Sequence, residues 1–453
     1  MMVRRASITY RESNSSTLPG FLGEPRFLGQ QSLDGHSAPG YLYTFGIQEK
    51  GFVQKLDDNN KFYKDANIVT PIGIAYTSDL DLKANIEPIP GLKIDLNAKR
   101  YEAKNTSVLL VNNSPTTFTG SYNITQIAIE NPFMNNKKNQ TNYYSESFNT
   151  FKNYSKIIAN RLNSSINIRN TKLINPDSLQ MYTYKSADVL IPAFLAAYTH
   201  KDPNKIDTNP FLSLFNILPN WRMSYDGFSR LEWIKEKFKT VSITHAYTCK
   251  YGVGSYTSFA SWTAFEDNTA LGFVREQADN LPLISLPYSI QSVNLSEQFS
   301  PLLGINAVLK NSITLKGEYR KQRNLTLNIT NVQMIESTSD EYIIGGGYIL
   351  KDFNLILKLK SNKQTQVKND LKLSVDLSWK DIKTLMRKID ESLIQPQTGN
   401  KVLSCKMMAD YVFSSKVNFQ LFFDYQSNTP LISSSFPIST TNFGISLKFM
   451  LTR

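Results

Sequence analysis

Residues 293–330 read VNLSEQFSPLLGINAVLKNSITLKGEYRKQRNLTLNIT, and their alternation decides the fold class. From Ser312 to Thr330 every even position is polar. The odd positions open with Ile313, Leu315, Gly317 and Tyr319 and close with Leu325, Leu327 and Ile329, and only Lys321 and Arg323 break that face. A period of two places alternate side chains on opposite faces of a strand. Upstream the odd positions are again apolar (Val293, Leu295, Phe299, Leu303, Ile305, Ala307, Leu309), with Glu297 and Pro301 as exceptions. Lys310-Asn311-Ser312 then closes a three-residue hairpin, with Asn311 as candidate for the left-handed backbone position. That loop pairs Leu309 with Ile313 and Ala307 with Leu315, so the two apolar faces coincide. Each arm is two to three times longer than the usual strand of about 5–6 residues. A long soluble hairpin fits, and so does one crossing an outer membrane, where about 9–11 residues span the bilayer.

The rest of the composition bears on that choice. The longest apolar run, Val189–Tyr198, is short and holds Pro192, so membrane-spanning helices are not expected. A transmembrane barrel stays open, because alternation averages its hydropathy down. Twenty-six Phe and 23 Tyr suit strands and interfacial girdles. The net charge of +12 is spread along strand-like polar faces with no dense basic run. That reads as a solvated or lumen face before a nucleic-acid surface. Cys249 and Cys405 both fall on the apolar parity of their segments and read as small hydrophobes more readily than as a disulfide. The first ten residues hold no signal-peptide core and read as a strand, which suggests that the sequence starts part-way through a longer exported protein.

In chain order, residues 1–130 read as barrel strands around a long connection at 11–66. Strands are expected at 3–10, 68–86, 92–99 and 117–130, with a tight turn at Pro88-Ile89-Pro90-Gly91. Residues 131–218 read as an insertion with helices at Ser147–Asn163 and Ala187–Tyr198 and a short strand at Ile166–Ile168. Residues 219–453 return to strands, after a helical turn over 228–237. Past the opening hairpin they are expected near 341–350, 354–361, 370–379, 383–390, 401–413, 417–427 and 441–449. Short turns at 310–312, 351–353, 380–382 and 414–416 alternate with longer loops at 330–340, 362–369, 391–400 and 428–440. That sorting suits a barrel with short periplasmic turns and long outer loops, and about 15–16 strands in all. The expected fold class is therefore all-β: an antiparallel transmembrane β-barrel segment with loop and helical insertions.

Chemistry is sparse. His36, His200 and His245 are isolated, no phosphate-cradling loop is present, and Gly345-Gly346-Gly347 lies inside a strand pattern, where close packing or a bend explains it. Neither an enzyme nor a cofactor or metal is expected.

The chain resembles the C-terminal part of the SprA/Sov family, outer-membrane translocons of the type 9 secretion system in Bacteroidetes. The segments that carry the resemblance run in order along nearly the whole chain: Leu18–Phe21 with Phe27–Gly29, Asn85–Leu96, Ile157–Leu162, Ile191–Tyr198, Pro219–Arg222 with Tyr225–Gly227, Gly254–Ser258, Ser296–Leu302 and Asn442–Phe449. The resemblance implies a share of a very large barrel that exports folded cargo proteins across the bacterial outer membrane. It also implies as partners a plug subunit, a shuttle barrel that collects cargo at a lateral opening, and periplasmic prolyl-isomerase-like factors. An independent porin or receptor-type barrel for small solutes, and a soluble secreted polysaccharide-binding β-protein, remain as alternatives.

Parity assigns the faces. Leu309, Ile313, Leu315, Tyr319, Leu373, Val375, Leu421 and Phe423 are expected to face lipid, and Lys316, Glu318, Lys372, Asp376, Gln420 and Asp424 the lumen. Phe443, Ile445, Leu447 and Phe449 have the shape of a terminal assembly strand. Read as a fragment evolved for gentle curvature, the chain is not expected to close into a working channel alone.

Overall fold

The computed structural model describes residues 3–22, 26–33, 36–46, 51–63, 70–110, 116–129, 133, 138–139, 142–165, 181–264, 272–275, 282–358, 364–390, 394–414, 417–432 and 435–449. Its strands, in chain order, are β1 Val3–Thr17, β2 Gln31–Leu33, β3 His36–Ala38, β4 Ile72–Ile86, β5 Leu92–Val108, β6 Thr117–Thr125, β7 Lys138–Asn139, β8 Asn142–Tyr143, β9 Asn220–Tyr225, β10 Phe238–Ser258 and β11 Thr263–Ala264. They continue with β12 Gly272–Arg275, β13 Pro282–Ser285, β14 Tyr288–Ile290, β15 Ser292–Leu309, β16 Ile313–Asn328, β17 Gln333–Lys358, β18 Gln364–Lys388, β19 Ile394–Ser414, β20 Val417–Pro430 and β21 Ile438–Phe449. The α-helices are α1 Tyr41–Thr44, α2 Phe52–Asp58, α3 Glu146–Ser165, α4 Ala187–Tyr198 and α5 Glu232–Lys237.

One antiparallel sheet of 14 strands organises the molecule, in the order β1-β4-β5-β6-β10-β15-β16-β17-β18-β19-β20-β21, with β9 and β14 paired alongside. Among the described residues this sheet has 14 strands, against about 15–16 expected for the barrel segment. The sheet is open: among the described residues β1 and β21 do not pair, and each presents a free edge. Its connections leave from two ends, and the sorting by length is partial. At the end where β1 begins and β21 finishes they are residues 87–91, 226–237, 310–312, 359–363 and 415–416. The long connections, 18–71 and 259–287, leave from the other end, together with the shorter 109–116, 329–332, 389–393 and 431–437.

Segment 126–219 leaves neither end. β6 and β9 both lie between β5 and β10, end to end in one lane. On β5, Arg100 pairs with Ile124 and Asn97 with Asn220, so the lane is vacant of ladder pairing beside Ala98 and Cys249, where Gln126 N–H still donates to the Cys249 carbonyl at 3.0 Å. Side chains close that gap: Lys99 N–H donates to Thr125 Oγ1 at 3.0 Å and Cys249 N–H to Asn220 Oδ1 at 2.8 Å. The vacant position belongs to the apolar parity, so the chain departs and returns on the apolar face.

There the excursion builds a cap. α4 is apolar all round, the signature of a buried helix, and Val189, Leu190, Ala193, Phe194, Ala196 and Tyr198 are fully buried. α3 is amphipathic and turns Phe148, Phe151 and Ile158 inward. They pack on Tyr247, Tyr251, Val293, Leu295, Leu325 and Leu327, the apolar face of β10, β15 and β16 near their far ends. Each such side chain contributes about 1.5–3 kcal/mol on burial.

Several expectations are corrected. The turns at 351–353 and 380–382 do not exist: 341–350 and 354–358 are both within β17, and 370–379 and 383–388 within β18, while 359–361 lie outside the described residues. A register shift between Leu350 and Phe353, with Asp352 at φ 54°, is a bulge in place of the first turn. The loops at 330–340 and 391–400 are strand from Gln333 and Ile394 onward. In the hairpin loop it is Ser312, at φ 67°, that takes the left-handed conformation; Asn311 instead accepts the Ile313 N–H at 3.4 Å. The strand expected at Ile166–Ile168 lies outside the described residues.

Candidate functional site: one apolar face, part capped and part bare

The hairpin register brings the two apolar faces together, with Ala307 opposite Leu315. The row continues through Gly346, Val375, Met407 and Phe423 to Phe443 on the edge strand. The next row runs Ile313, Tyr348, Leu373, Ala409, Leu421, Ile445. Leu309 sits opposite Phe238. Toward the other edge the same face carries Ile243, Tyr225 and Leu92, then Leu82 and Ile8 on the first strands. An apolar stripe thus crosses the sheet from edge to edge. Apart from the buried Ala307, its side chains are part or wholly uncovered: Leu315 is 48% exposed, Val375 39%, Phe443 65% and Ile344 70%. Along β18 the stripe spans Leu371, Leu373, Val375, Leu377 and Trp379, nine residues from first to last, the length at which a tilted strand crosses a bilayer, about 9–11 residues. Exposed apolar area on this scale marks an interaction surface in any protein.

The stripe has a defined border toward the cap. Tyr319, Tyr342 and Trp379 stack across neighbouring strands, with ring centroids 4.7 and 5.6 Å apart. The Tyr319 hydroxyl donates to Asp340 at 2.7 Å, and Lys321 pairs with the same carboxylate at 2.8 Å. One step further, Lys321, Asp340, Asp381 and Lys401 lie side by side on four strands. Rings with one apolar and one polar end followed by charge are what a membrane–water interface selects.

The opposite face is polar and nearly balanced in charge. Lys316, Gly345, Asp376, Lys406 and Asp424 form one cross-strand row, so opposite charges neighbour each other. Lys372 lies opposite Asp410, which in turn lies opposite Gln420. Glu318 is held by Lys316 at 3.2 Å and Arg320 at 2.6 Å. Gly345 and Gly347 permit close approach: a Cβ would make the Asp376 carboxylate shift at the first and, at 2.5 Å, the Thr314 hydroxyl at the second. Gly346 has open space on its side-chain face. Phe443, Ile445, Leu447 and Phe449 project from β21 on the apolar parity, and β21 is a free edge.

Sequence reasoning missed the group that joins cap to sheet. Arg323, Glu336 and Arg387 are buried together: Glu336 takes Arg323 Nη2 at 2.7 Å and Arg387 Nη2 at 3.0 Å, and Arg387 also donates to the Tyr143 carbonyl. Arg323 lies over the Tyr198 ring at 5.4 Å and Arg387 over Phe148 at 5.7 Å. Glu297, buried beside them, accepts from the Tyr247 hydroxyl at 2.7 Å. The signal was present: Glu297 and Arg323 are interruptions of the apolar parity, and both sit under the cap.

Cys249 and Cys405 are free thiols. Among the described residues no three His, Cys, Asp or Glu side chains gather as metal ligands, and no helix is long and apolar enough to cross a membrane. No family model matches this chain, and no curated protein is significantly similar to it.

Proposed function

We propose that this sheet is a stretch of wall in a transmembrane β-barrel, and that the barrel is a protein-conducting channel of the outer membrane. The observation that carries the barrel reading is the bare apolar stripe running edge to edge, with a polar face behind it. In water a face of this size is a liability; in lipid it is the required surface. Leu309, Ile313, Leu315, Tyr319, Leu373, Val375, Leu421 and Phe423 then meet lipid. Lys316, Glu318, Lys372, Asp376, Gln420 and Asp424 line the lumen, where near-balanced charge tolerates cargo of either sign. The free edges of β1 and β21 require partner strands, because unpaired backbone groups cost several kcal/mol each in hydrocarbon. The end with short connections faces the periplasm and the long insertions face outward.

The choice of a protein-conducting channel over a solute pore rests on the resemblance to the SprA/Sov family. By that resemblance the rest of the barrel, a plug subunit and a shuttle barrel are its partners, and folded cargo is exported through it. The role is passive and non-enzymatic. The test is inactivation of the chain in its own host. A secreted reporter carrying a C-terminal sorting domain should accumulate inside the cell envelope. Normal secretion of that reporter, with impaired uptake of a small solute, would overturn the translocon reading and favour a porin.

A further inference from the structure

The vacant strand position between Thr125 and Asn220 has a counterpart on the polar face. A cavity of about 590 Å³ lies over it, a size within the range of small-ligand sites. β4, β5, β6, β9, β10 and β15 all contribute to its lining. Most polar side chains on this face are spoken for: Lys99 pairs with Asp79 at 3.4 Å, Asn97 donates to Asp81 at 3.2 Å, and Ser296 to Asn324 at 2.7 Å. Tyr101, Asn123, Thr248 and Lys250 differ. All four line the cavity, and none makes a side-chain hydrogen bond or ion pair with a described residue. They supply an ammonium, a phenol, a primary amide and a hydroxyl, a set rich in donors. With Lys99 neutralised by Asp79, the uncompensated charge in the cavity is the single positive charge of Lys250.

We propose that this cavity binds a carboxylate, held by Lys250 and by donors from Tyr101, Asn123 and Thr248. One uncompensated ammonium matches a singly charged group; a doubly charged phosphate calls for more cations or the bidentate fork of arginine. Thr125 and Asn220, the two residues that flank the cap's departure and return, also line the cavity. A ligand seated there therefore touches both stalks of the cap on the far side of the sheet. The proposal does not depend on the membrane reading, because the polar face is accessible in either setting.

The test uses the full chain purified in detergent micelles at low salt. Two probes separate the sources of the carboxylate: fluorescein-labelled tetraglutamate, read by anisotropy, and free butyrate, a monoanion, read as its competitor. Lys250→Gln should weaken tetraglutamate binding on the order of tenfold, and Tyr101→Phe more modestly. Lys372→Gln removes the same charge elsewhere on the polar face and should leave binding within about twofold. Asp79→Asn frees Lys99 and should tighten it. Competition by butyrate at a similar concentration per carboxylate assigns the site to free carboxylates; retention of the peptide alone assigns it to acidic polypeptide segments. Equal weakening by Lys250→Gln and Lys372→Gln, or no measurable binding of either probe to the native chain, would overturn the proposal.

Discussion

The apolar face of the sheet is treated in two ways. Under α3 and α4 it is sealed, with Tyr251, Val293, Leu295 and Leu327 at no more than 2% exposure. Past the Tyr319–Tyr342–Trp379 stack the same parity continues bare through Leu315, Val375 and Phe443. The residue types scarcely differ; what differs is the neighbour. The capped part carries buried polar groups, Glu297, Arg323, Glu336 and Arg387, each with a protein partner. The bare stripe carries none of these on β16 to β21. A 94-residue excursion (126–219, inclusive) seals one half of the face and leaves the other half open, and on the proposed reading lipid is what covers the open half.

The largest expected break in this contrast is at Glu336. Glu336→Gln removes the carboxylate that two buried guanidiniums share, and breaking such a pair costs about 3–5 kcal/mol. Urea unfolding in micelles should show the cap loosening first, read as faster amide exchange in α3 and α4 while the β18–β20 strands stay protected. Loss of protection across all strands together would mean that cap and sheet are one cooperative unit.

Truncation sharpens the same comparison. Leu327→Ala, under the cap, should cost about 2–5 kcal/mol. Leu315→Ala, in the bare stripe, should cost less than about 1 kcal/mol in micelles, because detergent takes the place of the lost methyls. Leu315→Arg, in contrast, should cost about 2–4 kcal/mol if residue 315 lies near mid-membrane. Equal costs for the two alanine variants, measured by denaturant midpoint, would remove the distinction between the halves.

A smaller effect belongs to the cap alone. Asp188, at the start of α4, accepts the Leu286 N–H at 3.1 Å, and burial pushes its carboxyl up to about 6, against the hydrogen bonds from Leu286 and Tyr182. The folded state then holds this proton more tightly than the unfolded chain, whose aspartate titrates near 3.9. Cap stability should be highest below about pH 4, fall by about 1–3 kcal/mol as pH rises to about 6, and stay level above. Asp188→Asn should flatten that slope, as read by thermal midpoints across pH 4–7. A midpoint that rises over this window in the native protein would reverse the sign.

The half of the molecule that alternation describes was legible from the chain alone. The 293–330 hairpin, α4 from Ala187 to Tyr198 and the inward Phe148, Phe151 and Ile158 of α3 follow from periods of two and 3.6. The rest was hidden for physical reasons. At the level of Lys321, Asp340, Asp381 and Lys401 the outer parity turns charged on four strands at once, so both faces read as polar and β18 was divided at a turn that is not there. The bulge at Leu350–Phe353 imitates a turn in the same way on β17. The shared lane of β6 and β9 joins segments too far apart in sequence for any local period to connect. The carboxylate-site candidates Tyr101, Asn123, Thr248 and Lys250 gather only because that lane is broken.

The central claim is that the bare stripe meets lipid and its reverse face meets water. Spin labels placed one at a time at positions 315, 375 and 423, and at their neighbours 316, 376 and 424, test it most directly. The labels go into a chain carrying Cys249→Ser and Cys405→Ser and held in native outer-membrane vesicles. At 315, 375 and 423 the label should be open to dissolved oxygen and closed to a water-soluble nickel chelate; at 316, 376 and 424 the nickel chelate should reach it. Free access of nickel to 315, 375 and 423 would contradict the account and return this sheet to water.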